Sequence, residues 1–251
     1  MVILRVLLFA SGFIDLEISK RDYDYSKWLG PDYSKTKAAS GSVSNHCSWV
    51  DSFIISYIFG GANFVSKSSN IKIPMMGKIG IATNTLFVDR AGTKEEKDKI
   101  VQQIEERQQM KIKEKGEGFN LHIFPEGFTT NNTHVLPFKR GAFASFLPLR
   151  PIAFKYSSKY FSPAHDIIPM GIHLVILLCQ LKNSVEVTQL PVFEPNEYLY
   201  KNHMKEGEEK WMAYANGVRT CIADTLKLPI SQATLKQKVE CQDIYFKTKA
   251  Q

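Results

Sequence analysis

The sequence predicts an α/β domain built on a mixed, mainly parallel sheet with helices on its flanks. Three observations lead there. Short strand-like runs recur at 42–44, 63–66, 85–88, 119–124, 149–154 and 184–192. Segments of helical length separate several of them, and alternating strands and helices are what a parallel sheet requires. Hydrophobic residues make up 44% of the 251 residues and charged residues 23%, enough apolar material for a real core.

Each element has its own warrant. Residues 1–14 (MVILRVLLFASGFI) are apolar apart from Arg5 and Ser11, and too short to span a bilayer as a helix. Asp15 and Glu17 follow at once, where a signal peptide would place a cleavage pattern. This reads as a membrane-interfacial helix occupying 1–20, or as the remnant of a longer anchor. Residues 21–40 are a polar, aromatic connector with Gly30-Pro31 as a turn signal. After the short strand at 42–44, residues 49–59 form an apolar run of helical length with Asp51 near its start. Between the strands at 63–66 and 85–88 lies IKIPMMGKIGIA, punctuated by Pro74, Gly77 and Gly80. Thr93-x-x-Glu96 is a capping box that opens a helix running to about Lys115, closed by Gly116 and Gly118. Residues 119–124 alternate like a strand feeding Pro125. A short helix is expected at 139–146 and a strand at 149–154. Residues 170–181 (MGIHLVILLCQL) are a second, shorter apolar run that comes only partway to a bilayer span, with a buried core helix as the plainer reading. A strand at 184–192 and helical sequence over 196–226 complete the domain, which is placed at 21–230. A polar C-terminal tail is expected over 231–251.

Formal charge is +7, from 32 basic against 25 acidic residues, and the excess is unevenly placed. Residues 52–88 contain no acid but carry Lys67, Lys72 and Lys78. Residues 127–165 again contain none, against Lys139, Arg140, Arg150, Lys155 and Lys159. Long acid-free basic stretches imply an anionic partner such as phospholipid head groups, CoA phosphates or nucleic acid; the plainer reading is an ordinary basic surface. No nucleic-acid-binding module or patterned aromatic stripe is recognisable, which argues against the last of these. Cys47, Cys179, Cys221 and Cys241 are widely spaced, which speaks against a disulfide framework or a zinc site and suits a reducing compartment.

Four blocks carry chemistry. In Asn45-His46-Cys47-Ser48-Trp49-Val50-Asp51, a strand gives way to a helix, so a His in the loop can meet an Asp in the first turn. A carboxylate bonded to one imidazole nitrogen fixes the tautomer and makes the other nitrogen a better base. Phe124-Pro125-Glu126-Gly127 ends a strand with a carboxylate able to accept hydroxyl hydrogen bonds and a glycine permitting close approach. Leu86-Phe87-Val88-Asp89-Arg90 ends another, where Arg90 offers a planar fork for phosphate or a local salt bridge to Asp89. Leu149-Arg150-Pro151-Ile152-Ala153 is an apolar strand entered through proline.

In this order and spacing, the four blocks resemble the glycerophospholipid acyltransferase family defined by its HX4D motif. The resemblance covers roughly 42–192, and the tracts FPEGFTTNNTHVLPFKRGAF and LCQLKNSVEVTQLPVFEPNE look most like the lysophosphatidylcholine acyltransferase branch. It implies a single acyltransferase domain that moves a fatty acyl group from acyl-CoA to the free hydroxyl of a lysophospholipid, of lysophosphatidylcholine or lysophosphatidate type. His46 would be the base and Asp51 its partner. Arg90, Glu126 and Gly127 would hold the glycerol phosphate, and Pro151 would lie near acyl-CoA. Lys139 and Arg140, with Lys67 and Lys72, are candidates for the CoA phosphates. No cofactor or metal is expected, since a thioester is already activated and acyl-CoA is a cosubstrate. Phe128 stands where the family usually has a threonine or small residue, and implies a narrower acceptor site.

Rival readings are a Cys47 nucleophile, a metal held by His46, Asp51 and His122 or His134, and a catalytically inactive subunit of a membrane complex that binds lipid or serves as structure. The terminal Lys247-Thr248-Lys249-Ala250-Gln251 looks like a Lys-x-Lys-x-x retrieval signal. With the resemblance it favours the cytosolic face of the endoplasmic reticulum membrane, with mitochondria as alternative.

Overall fold

A computed structural model describes residues 2–73, 76–89, 92–114 and 118–248. Nine helices and seven strands follow in the order α1 (Val2–Ala10), β1 (Asp15–Lys20), α2 (Ser26–Leu29), β2 (Gly41–Ser44), α3 (Asp51–Phe59), β3 (Ala62–Lys67), α4 (Met76–Ala82), β4 (Leu86–Val88) and α5 (Lys94–Lys113), among the described residues. Then come β5 (Asn120–Ile123), β6 (Leu149–Ser157), α6 (Met170–Leu178), β7 (Ser184–Gln189), α7 (Glu197–His203), α8 (Lys210–Leu226) and α9 (Leu235–Thr248).

The strands form one sheet in the order β1-β7-β6-β2-β5-β3-β4. Strands β2 to β6 run parallel to their neighbours among themselves. β7 is antiparallel to β6, with Ile152 opposite Gln189, and β1 is parallel to β7, with Asp15 opposite Ser184. The sheet is therefore mixed and mainly parallel, as the alternation predicts. β2 sits at its centre and is buried along its whole length. Gly41 is required there, because a Cβ would lie 2.8 Å from the Leu121 carbonyl oxygen.

Two apolar clusters cover the two faces. On one, Leu8, Phe13, Ile54, Ile55 and Leu177 join α1, α3 and α6 to Ile152, Phe154, Val185 and Val187 of the sheet. On the other, Tyr25, Ile104, Phe143, Leu199, Tyr214 and Ile222 join α5, α7 and α8 to Val43, Leu121 and Leu149. The capping box of α5 forms as expected: Glu96 N donates to Thr93 Oγ1 at 3.3 Å, and Thr93 N donates to Glu96 Oε2 at 2.8 Å.

Several expectations need correction. The interfacial segment expected over 1–20 is a helix only to Ala10, and β1 brings the rest into the sheet. β1 is an edge strand whose Leu16 and Ile18 alternate with polar residues, but this short alternation runs straight on from the apolar segment before it and is masked by it. The helix expected at 139–146 is a single 3₁₀ turn, Arg140–Ala142. The helical stretch over 196–226 breaks between α7 and α8, where Gly207 takes φ +74°. The polar tail contains α9, which is anchored by Lys238 to Asp166 at 3.2 Å and by Gln242 Nε2 to the Ile167 carbonyl at 3.1 Å. The run at 170–181 is not a core helix: α6 buries His173 and Leu177 and exposes most of the rest. Among the described residues no helix is long and apolar enough to cross a membrane.

Candidate active site

Because β2 to β6 share one direction, their carboxyl ends lie on one edge, where ligands of parallel α/β sheets usually bind. The chain leaves that edge through His46 after β2, Asp89 after β4 and Glu126-Gly127 after β5. Arg90 lies outside the described residues.

His46 and Asp51 meet. His46 Nδ1 lies 2.9 Å from Asp51 Oδ2, with the imidazole only 17% exposed and the carboxylate fully buried. The same oxygen accepts from the backbone N–H of Cys47 at 2.7 Å and of Ser48 at 3.0 Å. The loop thus winds around its own first-turn carboxylate, which is how an i, i+5 pair closes without sharing a helix face. A carboxylate accepting at Nδ1 leaves Nε2 as the basic nitrogen. Asn45 pins the loop to β6, accepting from Phe154 N at 2.8 Å and donating to Phe154 O at 2.9 Å.

Glu126 is buried, and both its oxygens are committed. Oε2 accepts from His46 N at 2.7 Å and Oε1 from Leu136 N at 2.8 Å. Burial pushes its carboxyl up to about 8, against the pull of those two N–H groups. The family resemblance assigns Glu126 to the acceptor's glycerol phosphate; the structure makes it a brace that ties the His46 loop to the segment after β5. Gly127 takes φ +78°, and a Cβ there would lie 2.5 Å from Lys139 Nζ. Lys139 and Arg140, with Gly127, Phe124 and Pro125, line a cavity of about 380 Å³ whose apolar wall includes Val65, Val88, Ile104 and Ile123.

Pro151 and Phe128 stand apart from that cavity. Pro151 is buried within the sheet opposite Val43, its carbonyl accepting from Leu190 N at 3.0 Å, and it does not line that cavity. Phe128 faces α9, its ring 5.5 Å from Lys238 Nζ, and lines a separate cavity of about 240 Å³. It borders that cavity and not the one beside Phe124. Cys47 is fully buried, and burial pushes its thiol well above the usual range, unlike an activated nucleophile. Among the described residues no group of three His, Cys, Asp or Glu side chains is arranged to hold a metal ion.

The structure adds contacts that the sequence does not foretell. Tyr156, near the end of β6, donates its phenol O–H to Asp51 Oδ1, and burial keeps that phenol protonated. Phe124 stacks on the His46 ring with centroids 3.9 Å apart and planes 17° apart. Beneath it, buried His122 sits between Ser42 Oγ at 2.8 Å and Ser44 Oγ at 3.1 Å, and burial pushes its imidazole well down. Arg219 of α8 is buried close enough to Glu126 for their charges to interact. Strand alternation signals Ser42, Ser44 and His122 as neighbours only once β2 and β5 are known to pair.

A family model described as Acyltransferase matches residues 29–172, more than half of the chain. The lysophospholipid acyltransferase LPEAT1 of Arabidopsis thaliana is 32% identical over 249 residues, covering 93% of this chain and 60% of that protein. Lysophosphatidylcholine acyltransferase 1 of Homo sapiens is 28% identical, covering 96% of this chain and 40% of that protein. The chain thus spans only part of the length of these curated relatives. A solved structure, the 1-acyl-sn-glycerophosphate acyltransferase PlsC of Thermotoga maritima, superposes with a TM-score of 0.46 at 20% identity, covering 87% of this chain and 74% of that one. On the family match, the chain belongs to the acyltransferase family.

Proposed function

We propose that this chain is an O-acyltransferase domain that moves a fatty acyl group from acyl-CoA to the free hydroxyl of a lysophospholipid at a membrane surface. The observation that carries the reading is the 2.9 Å contact between His46 Nδ1 and the buried Asp51 carboxylate, at the carboxyl edge of the sheet. The relatives' names, lysophospholipid and lysophosphatidylcholine acyltransferase, supply the acceptor class.

In this reading His46 Nε2 takes the proton from the lysolipid hydroxyl as its oxygen attacks the thioester carbonyl. The tetrahedral intermediate collapses with cleavage of the carbon–sulfur bond. The departing CoA thiolate takes the proton back from the imidazolium, so the enzyme ends as it began. The second carboxylate oxygen of Asp51, held by Tyr156, keeps the pair from turning. Lys139 and Arg140 stand beside the 380 Å³ cavity as charge for phosphate groups. The endoplasmic reticulum membrane is the proposed location; the last three residues of the retrieval-type signal, 249–251, lie outside the described residues.

Thiol release from acyl-CoA, measured against lysophosphatidylcholine, lysophosphatidylethanolamine and lysophosphatidate, tests the reading. Turnover should appear with at least one acceptor, and His46→Ala should reduce it by roughly 10² to 10⁴. Absence of wild-type turnover across the panel removes the enzyme reading. Equal turnover in His46→Ala removes the mechanism.

A further inference from the structure

α6 is an unusual surface helix. Its sequence, MGIHLVILL, has no charged residue, and only His173 and Leu177 are buried. Met170, Ile172, Leu174, Val175 and Leu178 are all exposed, and Leu181 just beyond is 91% exposed. At about 100° per residue these positions sweep roughly 200° of the helix circumference. A face that wide, wholly apolar and open to water, marks an interaction surface.

Its surroundings identify the partner. α1 lies in the same layer, sharing an apolar cluster with α3 and α6, and it too exposes Val2, Val6 and Phe9. The two helices are tied at their carboxyl ends: Asn183 N donates to Gly12 O at 2.6 Å and Asn183 Nδ2 to Ser11 O at 3.0 Å. Beside that junction stand Lys159, Tyr160 and Lys182. Tyr160 is 83% exposed with Lys159 Nζ 5.1 Å from its ring, and Lys182 pairs with Asp15 at 2.6 Å. Apolar helices rimmed by an exposed tyrosine and lysines match the layering of a bilayer, with its acyl interior and anionic head groups. At nine residues α6 is too short to span, so the geometry is that of a helix lying in the interface.

We propose that α6 and α1 together form a docking face that seats the protein on a phospholipid bilayer, α6 lying in the plane of the interface. The consequence for the site is short-range. Trp49 Nε1 donates to His173 Nδ1 at 3.2 Å, so the outward-facing helix is joined directly to the loop that carries His46 and Asp51. This deepens the proposed function, since a lipid acceptor reaches that loop from the membrane; the docking itself is testable without turnover.

The test is sedimentation with phosphatidylcholine vesicles in which about a third of the lipid is phosphatidylserine. Wild type and His46→Ala should both bind, and Ile172→Glu/Val175→Glu should bind at least about tenfold less. The double variant should keep the wild-type thermal midpoint and release thiol normally with a short-chain, monomeric lysolipid. As a second measurement, Val175→Trp should show a blue-shifted emission on adding the vesicles. Equal binding by the double variant, or no shift in Val175→Trp, overturns the proposal. So does a wild-type dimer that the double variant dissociates, because α6 is then covered by a second copy. Vesicle binding with no turnover leaves the docking standing and removes only the catalytic reading.

Discussion

The phenol of Tyr156 donates a hydrogen bond to Asp51 Oδ1, the carboxylate oxygen that His46 does not use. Tyr156 comes from β6 and Asp51 from the start of α3, so the dyad is anchored to two elements that the chain lays down far apart. Removing this phenol leaves a buried acceptor short of a partner while His46 remains in place. Tyr156→Phe is expected to lower kcat about tenfold with little change in KM, the loss of one hydrogen bond to a charged group spread between folding and orientation. Steady-state thiol release measures it.

Asp51→Asn is a harsher change. Oδ2 accepts from His46, Cys47 and Ser48 together, and an amide can present only one acceptor oxygen to donors on both sides. The variant should lose about 10² or more in kcat and melt several degrees lower, which distinguishes it from Tyr156→Phe. Parallel kinetics and thermal melts check both effects.

Glu126 links stability to pH. Its carboxyl rises from 4.5 to about 8 on folding, so between those values the folded chain binds the proton that the unfolded chain releases. Its contribution is complete below about pH 4.5 and is lost as the pH rises through about 8. The melting difference between wild type and Glu126→Gln should therefore change steadily across this window. Burial of His122 and His173 acts in the opposite sense: both are pushed down from 6.5, so their contribution is lost as the pH falls below that value. A pH series of thermal melts reads both limbs.

Gly127→Ala should destabilise the fold by about 1–2 kcal/mol, since φ +78° disfavours a side chain and the new methyl would lie against Lys139. Denaturant unfolding gives the stability. A raised KM for acyl-CoA would show that Lys139 has been displaced from its place beside the cavity.

The thiols provide a further check. Cys47 and Cys221 are buried with their thiols pushed up by burial, whereas Cys179 and Cys241 are exposed. A disulfide reagent should label the latter pair in the native protein and all four on denaturation. Cys47→Ala should retain turnover; its loss, with a normal thermal midpoint, would revive the thiol as a participant.

Much of the fold and part of the site are legible in the sequence, for identifiable reasons. Period-two and helical-length patterns mark β2, β3, β5, β7, α3 and α5, and the Thr93–Glu96 capping box locates the start of α5. The spacing of His46 and Asp51 across a strand–helix junction is enough to bring them together. β1 is hidden because its brief alternation at Leu16 and Ile18 runs on from the apolar segment before it, and α9 because a helix lying on the surface reads as polar tail. Tyr156, Phe124 and Arg219 are invisible as site residues because only the strand order places them beside Asp51, His46 and Glu126. Glu126 stands out in the sequence as a carboxylate that could meet substrate. Only its burial shows that backbone N–H groups already hold both oxygens.

The pairing of β1 with β7 also sets a constraint on how the molecule is made. Asp15 is synthesised well before Ser184, opposite which it finds its register, and β7 in turn needs β6. Until that late strand pair forms, the first strand has no edge to join, and the apolar residues around it depend on transient shelter. A nascent chain halted before Ser184 should stay protease-sensitive across Asp15–Lys20, and one released after Gln189 should not.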